Sequence, residues 1–552
     1  MGKKSGNSGF IKQAGILAVS GIIVRIIGIL YRSPLAAIIG DEGNGYYGYA
    51  YNIYTNILLI SSYSIPSAMS RVMAGKLARR EYKSAKRLLN GAFIYVLIVG
   101  SLAAAFAWFA APYLVVSNAV PVLRIFAPTI FLSGLLGVLR GFFQAHRSMV
   151  QTSVSQILEQ LMNAAISVGA AWFFVNSAAM TLGSGAGEDT ARAVRGAAGS
   201  AIGTGAGVLI ALLFMSLMYY LNRDFINKRV SRDLTYDDES YPAILKEIFL
   251  VVTPFILSTF IYNCLTAVDQ TVYSRIMINV RGHGEAEIAT LYGIFSGKTI
   301  VLRNIPVAIA SAVSAAVIPE AAAAWALNDR EKTEARTGSA VRITMLVAIP
   351  CMVGLMVLSK PIVTLLFPQR ASIDTASRLL TAIGITVILY SLSTITNGVL
   401  QSVGMVNRPV VHAVVALVIQ FGILEVLLRK TDLNLYALVI ADIAYSLIMC
   451  ILNGISIRRN LGFRQEVKNT FLLPLLSSAV MGVAAIGVYL LLDHITGSNA
   501  VSLFAAVAVS MVVYLLIMVW SGAVGESELS RFPGGKKLSK LLIRRVGDSK
   551  EE

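Results

Sequence analysis

Apolar residues run along this chain in long blocks separated by short polar stretches, and most blocks are long enough to cross a membrane as a helix. A crossing helix needs ~20 mostly apolar residues. Fourteen stretches qualify, at 13–39, 46–74, 90–116, 120–145, 151–176, 196–221, 243–268, 288–319, 340–367, 376–404, 408–428, 433–457, 469–492 and 499–522. Helices are expected because hydrocarbon leaves each segment to satisfy its own backbone polar groups. The pattern is least regular in the second stretch, which is rich in tyrosine, and in the eighth, which Pro306 interrupts.

The spacing of the polar stretches predicts an all-α integral membrane protein of about fourteen spans. The polar, mixed-charge loop after the sixth span sets the division. We read an N-lobe at 1–222 (spans one to six), an inter-lobe loop at 223–242 and a C-lobe at 243–460 (spans seven to twelve). Two further spans follow at 461–522, and a basic tail at 523–552. Two internal echoes point to duplicated halves inserted in the same orientation and related by a pseudo-two-fold axis. Gly141-Phe142-Phe143-Gln144 ends span four and Gly398-Val399-Leu400-Gln401 ends span ten. Tyr47-Gly48 opens span two and Tyr292-Gly293 opens span eight.

Charge tests the topology. Of 47 Lys and Arg, 31 fall on alternate segments and their span edges if the N-terminus is cytoplasmic, and seven fall on the opposite loops. That asymmetry follows the positive-inside rule and places both termini in the cytoplasm. It also accounts for the net charge of +17 without a nucleic-acid partner. Charged residues make up 14% of the chain and hydrophobic residues 56%, where soluble domains carry about 25% charged residues. The basic start (Lys3, Lys4, Lys12) and the arginines in the first apolar stretch fit a retained span better than a cleaved leader. In the tail, Lys536 to Arg545 mixes basic and aliphatic residues, which fits a surface helix on anionic lipid as well as a plain positive-inside stop.

Enzyme signatures are missing. Gly293 to Thr299 imitates a phosphate loop but has three residues between its glycines where four are required, and it lies within a span. Four scattered histidines and three apolar-context cysteines, Cys264, Cys351 and Cys450, make neither a metal site nor a disulfide framework. No cofactor is expected, and a non-enzymatic role follows.

Ionisable residues inside spans carry the functional signal, because they are expensive in hydrocarbon. Arg25 and Arg32 in span one are seven residues apart, which puts them within about 20° on a helix. Gly21 and Gly28 share their stripe. Arg32, near its span end, can snorkel to the interface; Arg25 lies closer to the middle. In span eight, Arg303 shares a face with Ser296 and Thr299, while Lys298 points about 140° away. Glu159, Asp269, Glu425 and Asp442 are the acids in or near spans. The excess of cations favours an anionic guest, and an arginine fork suits a diphosphate or carboxylate.

Several stretches resemble the MurJ and SpoVB-type flippases of the multidrug/oligosaccharidyl-lipid/polysaccharide exporter superfamily. They are Leu30-Tyr31-Arg32 with Ile39-Gly40-Asp41-Glu42-Gly43, Leu139 to His146, Ser155 to Gln160, Ile305-Pro306 and Val317-Ile318-Pro319. The resemblance spans nearly the whole chain. It implies two six-span lobes around a cavity in a bacterial cytoplasmic membrane, in contact with membrane lipids, and a groove for a polyprenyl tail at spans thirteen and fourteen. The implied cargo is a polyprenyl-diphosphate-linked glycan, such as a lipid II-like cell-wall precursor. By position, Arg25 or Arg32 and Lys298 or Arg303 would be the cavity cations, with Arg140, Gln144 and Glu159 alongside. Some relatives bind sodium near span seven, which makes Asp269, with Asn397, a candidate site for Na⁺, or H⁺, as coupling ion. Gram-negative-type MurJ proteins carry an arginine in the middle of span two, where this sequence has Tyr51, Asn52, Tyr54 and Asn56. Another polyprenyl-linked polysaccharide unit is the main alternative cargo. A drug/cation antiporter of the MATE type would want intramembrane acids to dominate, and here they do not.

Overall fold

The computed structural model describes residues 20–521 except 22, 29, 64, 147, 182–185, 232, 234–239 and 368; side chains at some further helical positions, chiefly 251–262 and 313–320, also lie outside the described set. The expected basic N-terminus and the tail helix fall outside the described residues. Every regular element among the described residues is a helix.

Among the described residues, ten helices are long and apolar enough to cross a membrane, or eleven if Arg370–Ile383 and Thr386–Ser402, bent by 46°, make one span. The expected fourteen is not reached by this count, for local reasons. Expected spans one and two lie in one run, Ile23–Ala78. Spans seven and eight fall on helices Tyr241–Arg275, Glu285–Ile294 and Ile300–Ala326, which include the undescribed side chains. The outer surfaces of the helices are apolar: Leu102, Phe109, Val483 and Trp520 are 66%, 75%, 74% and 79% exposed. Patches of that kind mark contact with lipid. This is a multi-pass membrane protein.

Within the run Ile23–Ala78, the helix Arg32–Leu58 is interrupted at Gly40, whose φ is 70° and ψ −178°. Only glycine enters that region without strain. Asn44 Nδ2 donates to the Gly40 carbonyl at 2.9 Å, satisfying an acceptor near the break. A Cβ at Gly40 would meet nothing within 4 Å, so substitution there is a pure backbone test. Gly40→Ala is expected to destabilise by about 1–3 kcal/mol. Gly75→Ala, in an equally open but helical position, is expected to stabilise slightly. Thermal unfolding of the purified proteins checks both, and equal shifts would refute the strain at Gly40.

Four π-helical segments occur among the described residues, at Leu59–Tyr63, Ile276–Val280, Phe295–Thr299 and Lys468–Leu472. Two have a local cause. Pro66 and Pro474 lack the N–H that an α-helix would aim at the carbonyls of Ser62 and Thr470, and each of those carbonyls lies in a π segment. The helix assignment continues through Pro306 to Ala326, so the irregularity of span eight lies upstream, at Phe295–Thr299.

The chain divides into two compact units, Met1–Gly297 and Lys298–Glu552. In the first, Ile65, Met69, Leu88, Leu89, Phe142 and Met215 make one core. The helices Met149–Thr181 and Ala186–Ser231 close on one another along small residues. A Cβ at Gly203 would lie 2.2 Å from Ser167 N, and one at Gly207 would lie 2.6 Å from Glu159 O, the close backbone approach that drives helix pairing in lipid. In the second unit, Ala340, Met345, Ile349, Val387 and Ile395 form a core, and the last two helices join it through Leu346, Met481, Tyr514 and Met518.

Candidate functional site

In the first unit, Arg32 is half-buried at the start of its helix and faces Tyr31, Tyr47 and Tyr51. The Tyr47 and Tyr51 rings stack at 5.5 Å, and Tyr54 stacks on Phe126 at 4.6 Å. One turn before Arg32, a Cβ on Gly28 would sit 3.2 Å from Gln160 Nε2. The glycine–arginine stripe of span one therefore meets the helix that carries Glu159. Arg25, on the same stripe, is exposed.

Glu159 is held from another side. Arg140 Nη2 donates to Glu159 Oε2 at 2.6 Å, and Arg140 Nε donates to Ser155 Oγ at 2.9 Å. Gln144 follows one turn later, half-buried. Next along the same stretch, the His146 ring lies tilted against Phe142 at 4.3 Å, with Nδ1 2.9 Å from the Phe142 carbonyl. Burial holds its imidazole below the ordinary histidine value, which keeps it neutral at pH 7.

A second polar knot lies where the sequence offers asparagine in place of a mid-span arginine. Asn52 Nδ2 donates to Gln270 Oε1 at 2.8 Å and to the Tyr292 hydroxyl at 3.0 Å. Gln270 Nε2 donates to the Tyr49 carbonyl at 2.9 Å, and the Tyr49 ring stacks on Tyr292 at 4.6 Å. Asn52 thus ties three helices together. Asp269, beside Gln270, is buried.

In the second unit, Lys298 is fully buried in the π segment and donates to Ser372 Oγ at 2.6 Å, with Nζ 5.6 Å from the Phe367 ring. Arg303 points to other partners. Its Nη1 bonds and ion-pairs with Asp442 Oδ2, and its Nε and Nη2 reach Asn304 Oδ1 at 3.2 and 3.0 Å. Tyr390 completes the group: its hydroxyl donates to Asp442 Oδ1 at 2.5 Å, and its ring lies 4.6 Å from the guanidinium. Asn397 accepts from Asn453 Nδ2 at 2.7 Å. Asn453 also holds His412, whose other ring nitrogen lies 3.1 Å from Ser456 Oγ. Glu425 pairs with Arg429 at 3.0 Å, one turn along the same helix. The three cysteines are free, and no group of three or more His, Cys, Asp or Glu suited to a metal occurs among the described residues.

Two of the expected cations, Arg140 and Arg303, are thus each balanced by a carboxylate, so the surplus of positive charge is smaller than the count of residues suggested. Sequence reasoning missed Tyr390, Asn453 and His412, and gave Ser155 only as part of a motif. Tyr390 and Ser155 are neutral partners of flagged charges, and only contact across helices reveals them.

Residues 10–325 match the family model described as polysaccharide biosynthesis protein. The chain belongs to that family. Residues 287–424 also match the MatE family model. Two relatives from Bacillus subtilis (strain 168) align end to end. Lipid II flippase MurJ is 23% identical over 96% of this chain and 98% of its own length. Stage V sporulation protein B is 21% identical over 97% and 99%. Lipid II flippase MurJ solved in an inward closed conformation has the same fold, with a TM-score of 0.63 at 17% identity over 91% of this chain and 97% of that one. An inward-facing multidrug resistance MATE family transporter of the MOP superfamily also gives 0.63, at 16% identity over 79% and 94%. The resemblance read from the motifs is thereby borne out, and within this family the buried ionised residues above are the features to explain.

Proposed function

We propose that this protein is a flippase that moves a polyprenyl-diphosphate-linked cell-wall precursor, lipid II-like, from the inner to the outer leaflet by alternating access. The observation that carries the reading is the end-to-end match to lipid II flippase MurJ in a chain whose spans bury arginines. An arginine among tyrosines supplies what a glycan diphosphate needs: planar N–H donors for phosphate oxygens and aromatic faces beside them. The polyprenyl tail stays in lipid throughout, so only the head group leaves water. With both termini inside, a membrane potential positive outside favours outward movement of the anionic group by about 2.3 kcal/mol per charge per 100 mV. Arg32 holds the diphosphate in this scheme. In this scheme Arg140 would give up Glu159, and Arg303 would give up Asp442, for a phosphate oxygen.

Complementation tests it. A bacterial host depleted of its lipid II flippase is expected to recover when this chain is expressed. Arg32→Ala should lose rescue with the protein still in the membrane, and Arg32→Lys should retain part of it, because an ammonium keeps the charge and loses the fork. No rescue by well-expressed wild type would redirect the cargo to another polyprenyl-linked glycan. Full rescue by Arg32→Ala would refute the role given to Arg32.

A further inference from the structure

In each unit, the segment around the end of one long helix folds back across the start of an earlier one, after Ala186–Ser231 in the first and after Leu435–Leu461 in the second. In the first unit, Lys83 N, at the head of helix Tyr82–Leu114, donates to Asp233 Oδ2 at 2.8 Å, and Lys86 Nζ donates to Asn227 Oδ1 at 3.0 Å. The space left there is about 20 Å³, lined by Phe142, Tyr219 and His146 among others. In the second unit, the segment after helix Leu435–Leu461 crosses helix Arg330–Val357. Phe463 packs where Gly338 has no side chain, since a Cβ at Gly338 would lie 3.1 Å from its ring, and Gly462 turns beside Glu334. Here the space is a cavity of about 530 Å³.

The two junctions differ in chemistry as well as size. The larger one is lined by Glu334, Arg342, Arg464, Gln465, Glu466 and Thr470. Two guanidiniums and two carboxylates share one hollow, and Gln465 Nε2 is buried in the protein without a hydrogen-bond partner. Buried amide nitrogens are rarely left so. Thr470 lies in the π segment that begins the next span, and an exposed apolar stripe starts two residues on, with Leu472, Leu476, Val480 and Val483 49%, 56%, 53% and 74% exposed. The hollow therefore lies where a span enters the membrane.

We propose that this cavity is a binding site for a zwitterionic phospholipid head group carrying a phosphate and a primary ammonium, of the phosphatidylethanolamine type, whose acyl chains follow the stripe from Leu472 to Val483. Arg342 and Arg464 take the phosphate, with Gln465 Nε2 and the Thr470 hydroxyl as further donors. Glu334 and Glu466 take the ammonium. A purely anionic head group would meet those carboxylates at a loss, and a choline would offer them no N–H. The site shares no residue with the cargo path proposed above and does not depend on it.

Native mass spectrometry of the full-length protein, released from nanodiscs of equal phosphatidylethanolamine, phosphatidylglycerol and phosphatidylcholine, tests this. Wild type is expected to retain phosphatidylethanolamine selectively. Arg464→Gln, at an exposed position that folding tolerates, should lose about tenfold in retention of it, as removal of one charge-assisted contact implies. Glu334→Gln should erase the preference over phosphatidylglycerol while keeping lipid bound. Equal retention of the three lipids by wild type would overturn the proposal, as would selectivity unchanged in both variants. Competition by millimolar soluble phosphoethanolamine with no lipid retained would assign the site to a soluble zwitterion and overturn its lipid source.

Discussion

With Asp442 replaced by alanine, the protein is expected to lose about 3–5 kcal/mol of folding stability. The carboxylate accepts from both Arg303 Nη1 and the Tyr390 hydroxyl. Removing it leaves a guanidinium only 8% exposed without its counter-charge, and a hydroxyl without its acceptor. Asp442→Asn should cost less, since one oxygen still accepts. The pair as a whole need not favour folding over an apolar pair of similar volume, because two ions had to be desolvated to form it. Arg303→Met combined with Asp442→Leu is therefore expected to regain most of the lost stability. Thermal unfolding in detergent measures the cost, and the complementation assay reads transport in parallel. A double variant that folds well and does not rescue would assign the pair to cargo handling. One that folds and rescues would make it structural.

The second large effect concerns two glycines that face one another in the first unit. A Cβ at Gly293 would lie 1.9 Å from the Asp41 carbonyl oxygen, and one at Gly45 would lie 1.9 Å from that of Ala289. Both obstacles are backbone, so neither can swing aside. Gly293→Ala is expected to destabilise at or beyond the upper end of the usual overpacking range of about 1–3 kcal/mol. Gly297→Ala, where the nearest atom is Asn44 Cβ at 3.4 Å, should be close to neutral. The yield of folded, monodisperse protein and its unfolding midpoint separate the two. Equal behaviour of the two variants would disprove the close approach.

That contact also explains a motif. Gly293 to Gly297 imitates a phosphate loop, yet its glycines are four apart because one helix face lies on another, as small residues do in lipid. Tyr292-Gly293 and Tyr47-Gly48 look alike in sequence, and the two segments touch: a Cβ at Gly48 would lie 3.6 Å from the Tyr292 ring. The positions of most helices were legible because hydrocarbon imposes a coarse apolar pattern. The intramembrane charges were legible because they are rare. What each charge meets was not. Arg140 reaches Glu159, and Arg303 reaches Asp442 139 positions away, and no periodicity encodes a contact between separate helices. The boundary between spans one and two was legible in the polar run Asp41-Glu42-Gly43-Asn44, and the backbone break at Gly40 falls at its edge. The π segments escaped notice because they shift hydrogen bonds without altering hydropathy.

Those π segments hold a consequence of their own. Each carries a surplus residue relative to the α-helical turn around it, much as a crystal row carries a dislocation. A dislocation can travel: by passing hydrogen bonds from one turn to the next, the surplus moves along the rod, and the stretch it crosses rotates without the helix parting. At Lys468–Leu472 it cannot run on, because Pro474 offers no N–H to donate the shifted bond and the helix starts only just before it, so Thr470 is held toward the hollow it lines. The head of the following span is thereby fixed in rotation beside that hollow, whether or not the hollow is filled.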